Sequence, residues 1–153
     1  TYGTLDELNS VIGLAISHLD KKNKENKKII QILIDVQRAL FYIGSYFADL
    51  PDAISDIDFE KKIKEFEKTI DYTFSKMPKF TNFILPGGGK AGATLHVART
   101  IARRLERLII RLHKKGRVAS EVIQYINRLS DLLFALARYA NHIERKKETI
   151  WER

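Results

Sequence analysis

With 153 residues, 44% of them apolar and 30% charged, the chain can close one hydrophobic core and is neither disordered nor fibrous. It has no cysteine, which excludes disulfides and thiolate metal sites, and its apolar runs are too short for a membrane-spanning helix. A formal charge of +8 points toward anionic partners, although a lysine-rich solvated surface would give the same total.

The chain opens on Thr1 with no signal-peptide pattern, so a cytoplasmic location is expected, as is a missing segment before Thr1. Leu5, Leu8, Ile12, Ala15 and Leu19 then recur by threes and fours, the spacing of a helix with one apolar stripe. The lysine-rich run from Lys21 to Lys28 reads as a solvated loop. A second stripe is formed by Leu33, Val36, Leu40, Ile43 and Phe47. A third follows Pro51 and an acidic turn, through Phe59, Ile63, Phe66 and Ile70. The fourth holds Leu95, Ala98, Ala102, Leu105, Ile109 and Leu112, with Gly116 as a plausible stop. The fifth begins near Ser120 and carries Val122, Ile126, Leu129, Leu133, Leu136, Ala140 and Ile143. No series of alternating strands occurs. The chain therefore reads as all-α, a single five-helix bundle over residues 1–153.

One connection is long. Lys76 to Gly92 contains Pro78, Pro86 and four glycines, and loops of that length are often functional. Gly87 to Gly92 matches G-x-G-x-x-G, but a dinucleotide fold needs a βαβ unit that this chain lacks. A Walker loop fails as well, because Ile84 and Ala91 stand where glycine and Ser or Thr are required. What survives is a glycine-rich lead into a helix whose backbone N–H groups could receive an anion, or merely a flexible tip.

At about 100° per residue, Arg99, Arg103 and Glu106 fall within a sector of about 60° beside the apolar stripe of the fourth helix. Arg104, Arg107 and Arg111 lie further round, toward solvent. Two arginines with a carboxylate at that spacing suit a polyphosphate, and they also suit an ordinary ion-pair ladder. On the fifth helix Asn127, Asp131, Phe134 and Arg138 share a face roughly opposite the apolar stripe. The aromatic ring there calls for a ligand or a second chain. Asp6 and Asn9 flank the stripe of the first helix in the same way. A site between helices or between chains follows from these placements. Glu-x-x-His pairs, a G-x-S-x-G elbow and clustered histidines are all missing, while a basic helix for nucleic acid stays open.

Three blocks, "YGTLDELNSVIG" (Tyr2 to Gly13), "FILPGGGKAGATLHVARTIARRLER" (Phe83 to Arg107) and "YINRLSDLLFALARYAN" (Tyr125 to Asn141), resemble in order and spacing the ATP:cob(I)alamin adenosyltransferases of the helical-bundle type. The resemblance covers essentially the whole chain. It implies a homotrimer with active sites between subunits, and transfer of the 5′-deoxyadenosyl group of ATP to reduced cobalamin with release of triphosphate. It also implies Mg²⁺ with the nucleotide, and possible dealings with a cobalamin reductase and an adenosylcobalamin-dependent enzyme. Membrane and nucleic acid are not among the implied partners.

Position by position, the resemblance gives Arg99 and Arg103 to the nucleotide site, with Arg104 and Arg107 in the same motif. Glu106 orients arginine or nucleotide, Asn127 contacts the nucleotide, and Asp131 is a motif acid needed for activity. Asp6 resembles the acid that pairs with the arginine at position 99 across the subunit boundary. Phe83 resembles the ring that displaces the lower axial base of cobalamin. The family's phosphate loop, which precedes the first block, is not in the sequence. The alternative is a non-enzymatic basic helical module that binds nucleic acid or a protein.

Overall fold

The computed structural model describes residues 1–79, 81–116 and 118–152. Five helices carry the chain: α1 (Tyr2–Ser17), α2 (Lys24–Phe47), α3 (Phe59–Lys76), α4 (Lys90–His113) and α5 (Ser120–Ile143), with a 3₁₀ turn at Pro51–Ile54. Among the described residues the only β pairing is an isolated bridge between Ile84 and Ile150.

The starts of the helices follow from local chemistry. The Asn23 side chain accepts hydrogen bonds from the N–H groups of Glu25 and Asn26, satisfying donors that the first turn of α2 leaves free. That cap explains one departure from the sequence reading. The second half of the lysine-rich run is the first turn of α2, not a loop, and its lysines are solvated on the helix surface. Asp58 caps α3 in the same manner through the N–H of Lys61. Past α4, Gly116 adopts a φ of 68°, and its N–H bonds to the His113 carbonyl at 2.8 Å. A left-handed turn of that kind favours glycine and ends the helix.

The apolar stripes meet as expected. Leu5, Leu8, Ile12, Leu33, Val36, Leu40, Leu95, Leu105, Ile109, Ile126, Leu129 and Leu133 join one buried cluster. Truncating any one of the leucines there would cost about 2–5 kcal/mol. The helix α5 lies along α4 on one side and α3 on the other and also touches α2, while α1 packs on α4 and α2 on α1. This central position corrects the expectation of a polar α5 face opposite the core. Its second half is buried nearly all round: of the four residues on that face, Arg138 is buried, Phe134 is half-buried, and Asn127 and Asp131 reach solvent.

Candidate functional site

The loop between α3 and α4 is held against the end of the chain. The N–H of Leu85 donates to the carbonyl of Thr149, and the N–H of Trp151 donates to the carbonyl of Phe83, both at 2.8 Å. These bonds make a short antiparallel clasp. Side chains alternate across it, so Ile84 turns into a cavity of about 250 Å³ shared with Arg138, His142 and Glu148. Phe83 projects the other way and is 74% exposed. The tail is itself anchored by Glu148, whose carboxylate accepts from Nε and Nη2 of the buried Arg138 at 3.1–3.2 Å. The Arg138 guanidinium also lies 5.7 Å from the centre of the Phe74 ring.

The glycines are not a free anion cradle. The Gly89 N–H is already donated to the Asn141 side chain at 2.9 Å, and a Glu144 oxygen lies 2.6 Å from where a Gly89 Cβ would stand. A carboxylate beside the start of α4 repels a second anion. Nor is Arg103 near that start, since thirteen residues of helix at about 1.5 Å each put it about 20 Å along the axis.

The arginines converge elsewhere. Between α3, α4 and α5 an open pocket of about 360 Å³ is lined by Arg99, Arg103, Arg128, Asp131, Phe134 and Phe74. Arg99 is half-buried, and its Nε has no hydrogen-bond partner among the described residues. Burial first, and then the positive charge of Arg103, lower the pKa of the Arg99 guanidinium. Among the described residues, these two cations face one pocket without a carboxylate bound to either. Asp131 is held at 3.0 Å by Arg128, which also reaches Glu67 of α3 at 3.3 Å. The sequence reading did not single out Arg128, although it sits inside the quoted "NRLSD" block.

Glu106 and Asn127 meet one turn further along, where the Asn127 amide donates to the Glu106 carboxylate at 2.8 Å and bridges α4 to α5. The two outward arginines have other engagements. Arg104 is ion-paired with Glu7 of α1, and Arg107 donates to the carbonyl of Arg103 at 3.1 Å. Asp6 stands apart from all of these, on a surface shared by α1 and α2 with Tyr2 and Phe41. Among the described residues no ion pair joins Asp6 to Arg99.

Two further groups were not legible in advance. His96 is buried against Phe134, with ring centroids 6.0 Å apart, and neither ring nitrogen has a hydrogen-bond partner among the described residues. Burial, then the charges of Arg99 and Arg138, lower its pKa to about 4, so the imidazole is neutral near pH 7. On the opposite side of α5, Glu25 accepts from Lys28, Tyr139 and Tyr72 at 2.7–2.9 Å. Lys28 above all, then Tyr139, holds its carboxyl near a pKa of about 2, and the cluster ties α2 to α3 and α5. Among the described residues no group of three or more His, Asp or Glu could hold a metal, and no helix is long and apolar enough to cross a membrane.

A family model described as cobalamin adenosyltransferase matches residues 1–140. The corrinoid adenosyltransferase of Bacillus subtilis (strain 168) is 39% identical over 141 residues, covering 92% of this chain and 72% of that protein. The human corrinoid adenosyltransferase MMAB is 36% identical over 155 residues, covering 97% of this chain and 61% of that one. The chain spans 42% of the corrinoid adenosyltransferase PduO of Citrobacter freundii, at 38% identity. Among solved structures, a variant PduO-type ATP:corrinoid adenosyltransferase from Lactobacillus reuteri, complexed with cobalamin and ATP, superimposes with a TM-score of 0.88. It is 35% identical, over 99% of this chain and 84% of that one.

Proposed function

Because the chain belongs to the cobalamin adenosyltransferase family, we propose that it transfers the 5′-deoxyadenosyl group of ATP to reduced cobalamin, giving adenosylcobalamin and triphosphate. The observation that carries this is the pair Arg99 and Arg103, two uncompensated guanidiniums turned into one pocket with Asp131 and Phe134.

In the reaction the electron pair of cobalt(I) attacks C5′ of ATP. The C5′–O bond breaks, and its electrons leave with the triphosphate. Charge builds on that leaving group, so preorganised cations stabilise the transition state more than the ground state. In this proposal Arg99 and Arg103 supply those cations, and the Glu106–Asn127 bridge beside them offers polar groups to the nucleotide. No protein nucleophile is needed, because the corrinoid is the nucleophile. A Mg²⁺ ion bound with the nucleotide would neutralise part of the triphosphate charge beside Arg99 and Arg103.

Phe83 is the corrinoid residue in this scheme. An apolar ring against the lower face excludes the axial base and water, and so eases reduction to cobalt(I). Its exposure supports the reading, since an unshielded ring of this size is available to a flat partner. The assembly is a homotrimer with sites between subunits. Asp6 without an ion pair among the described residues, and exposed Tyr2, Leu14, Phe41 and Tyr42 on α1 and α2, support that part. The alternative of a basic nucleic-acid module is weaker, because Glu7 already takes up the outward Arg104.

Incubation with ATP, Mg²⁺ and chemically reduced cobalamin, followed by the absorbance of the product, tests the activity. Formation of adenosylcobalamin is expected. No product, together with steeply salt-dependent binding to duplex DNA, would transfer support to the basic module.

A further inference from the structure

We propose that Asn141, at the end of α5, is a positioning residue for the corrinoid step, holding the glycine loop and through it the ring of Phe83. This rests on the corrinoid reading of Phe83 given above.

Asn141 is only 1% exposed, and its amide is used at both ends. Its oxygen accepts from the Gly89 N–H, and its nitrogen donates to the Gly87 carbonyl, each at 2.9 Å. One planar side chain thus spans the loop and fixes the distance across it. The glycines are shaped to this amide. A Cβ at Gly88 would stand 2.3 Å from it, and one at Gly92 would stand 2.2 Å from it. Gly88 also has a φ of 104°, a conformation that disfavours any side chain.

The Asn141 backbone carbonyl meanwhile accepts from Lys146 at 2.8 Å, where the chain turns into the tail that pairs with Phe83 and Leu85. Among the described residues, apart from the Gly89 carbonyl, which accepts the first bond of α4 from Ala93, the hydrogen bonds of residues 83–89 to the rest of the bundle go either to the tail or to Asn141. Both routes pass through the last turn of α5. Asn141 thus joins the bundle to the segment that braces the ring. A ring that must sit flat against a macrocycle needs such a brace, because a misplacement of about 1 Å can cost about a hundredfold in rate.

The test compares Phe83→Ala, Asn141→Ser and their double variant with wild type. Each is mixed with ATP and cob(II)alamin, and the four-coordinate species is read by spectroscopy, with the KM for ATP measured alongside. Two lost hydrogen bonds correspond to roughly tenfold to a hundredfold. Asn141→Ser is therefore expected to lower the four-coordinate fraction and the rate from cob(II)alamin by that factor. The rate from pre-reduced cobalamin and the KM for ATP should change by less than about threefold, within one lost contact. Asn141→Asp, nearly isosteric and still able to accept from Gly89, should fall between the two.

If Asn141 acts through the ring, the double variant is no worse than Phe83→Ala alone. A double variant whose losses multiply, or an Asn141→Ser protein with the wild-type spectrum, overturns the proposal while leaving Phe83 its role. A Phe83→Ala protein with the wild-type spectrum overturns the corrinoid reading first and the positioning role with it. Should the Asn141 variants not fold, amide exchange in the wild-type protein decides. The Gly89 N–H is expected to be protected like the core of α4, and exchange at the rate of an open loop overturns the clamp.

Discussion

Replacing Glu148 by alanine tests how firmly the tail is fastened. The Glu148 carboxylate is 20% exposed and the Arg138 side chain 7%, with their nearest atoms 3.1 Å apart. At an effective dielectric of about 20 and about 4 Å between charge centres, the attraction is about 4 kcal/mol. Two features reduce the net loss. The Phe74 ring stays on the guanidinium and contributes about 0.5–2 kcal/mol, and the pocket edge admits some water. A net destabilisation of about 2–3 kcal/mol remains. For a chain of this length each kcal/mol moves the melting point by about 2–4 °C, so Tm should fall by about 4–12 °C. Melting followed by circular dichroism at fixed protein concentration measures this. The shift should persist when salt is raised, because a mostly buried pair is weakly screened. A shift below about 1 °C, or one that vanishes in salt, would show that the pair behaves like a surface ion pair and that the clasp is not anchored there.

Arg103→Ala should raise the KM for ATP roughly tenfold to a hundredfold, the loss of one charge-assisted contact, with cobalamin binding nearly intact; unchanged ATP kinetics would refute its placement. Asp6→Ala should weaken assembly or activity by more than the about 0–1 kcal/mol of an exposed pair. Light scattering that finds the wild-type protein monomeric would remove the basis for that pairing. His96, flanked by Arg99, Arg138 and Phe134, has a folded pKa of about 4 against an ordinary 6.5, so the unfolded chain binds more protons between those values. Stability should therefore be full above pH 6.5 and decline as the pH falls toward 4, by about 3 kcal/mol in all. Denaturant melts of His96→Leu should show a flatter profile in that window, and an unchanged slope would exclude the histidine as its source.

The helices were legible because burial on one side leaves a 3.6-residue signature, and the stripes of α1, α2 and α4 carry it plainly. The central helix was misread for the same reason. Periodicity reports that a helix has a buried side, but not that a third or fourth neighbour covers the rest, and so the face with Arg138 was assigned to a ligand or a second chain. Arg99, Arg103 and Asp131 were within reach of helical geometry, and the structure does bring them to one pocket. Asn141 was not, because its partners Gly87 and Gly89 stand more than fifty residues earlier. The glycines were visible, but the side chain that forbids a Cβ among them was not.

The facing guanidiniums of Arg99 and Arg103 would make this protein a poor subject for selection by heat alone. Half-buried charge of one sign opposes folding, and an apolar residue of similar stem length at position 99, such as methionine, removes both the burial of charge and the repulsion. A library ranked by melting temperature would therefore enrich variants that have lost a cation to which the proposed mechanism gives triphosphate departure. In that proposal, a residue whose loss relieves the fold is one that the chemistry uses.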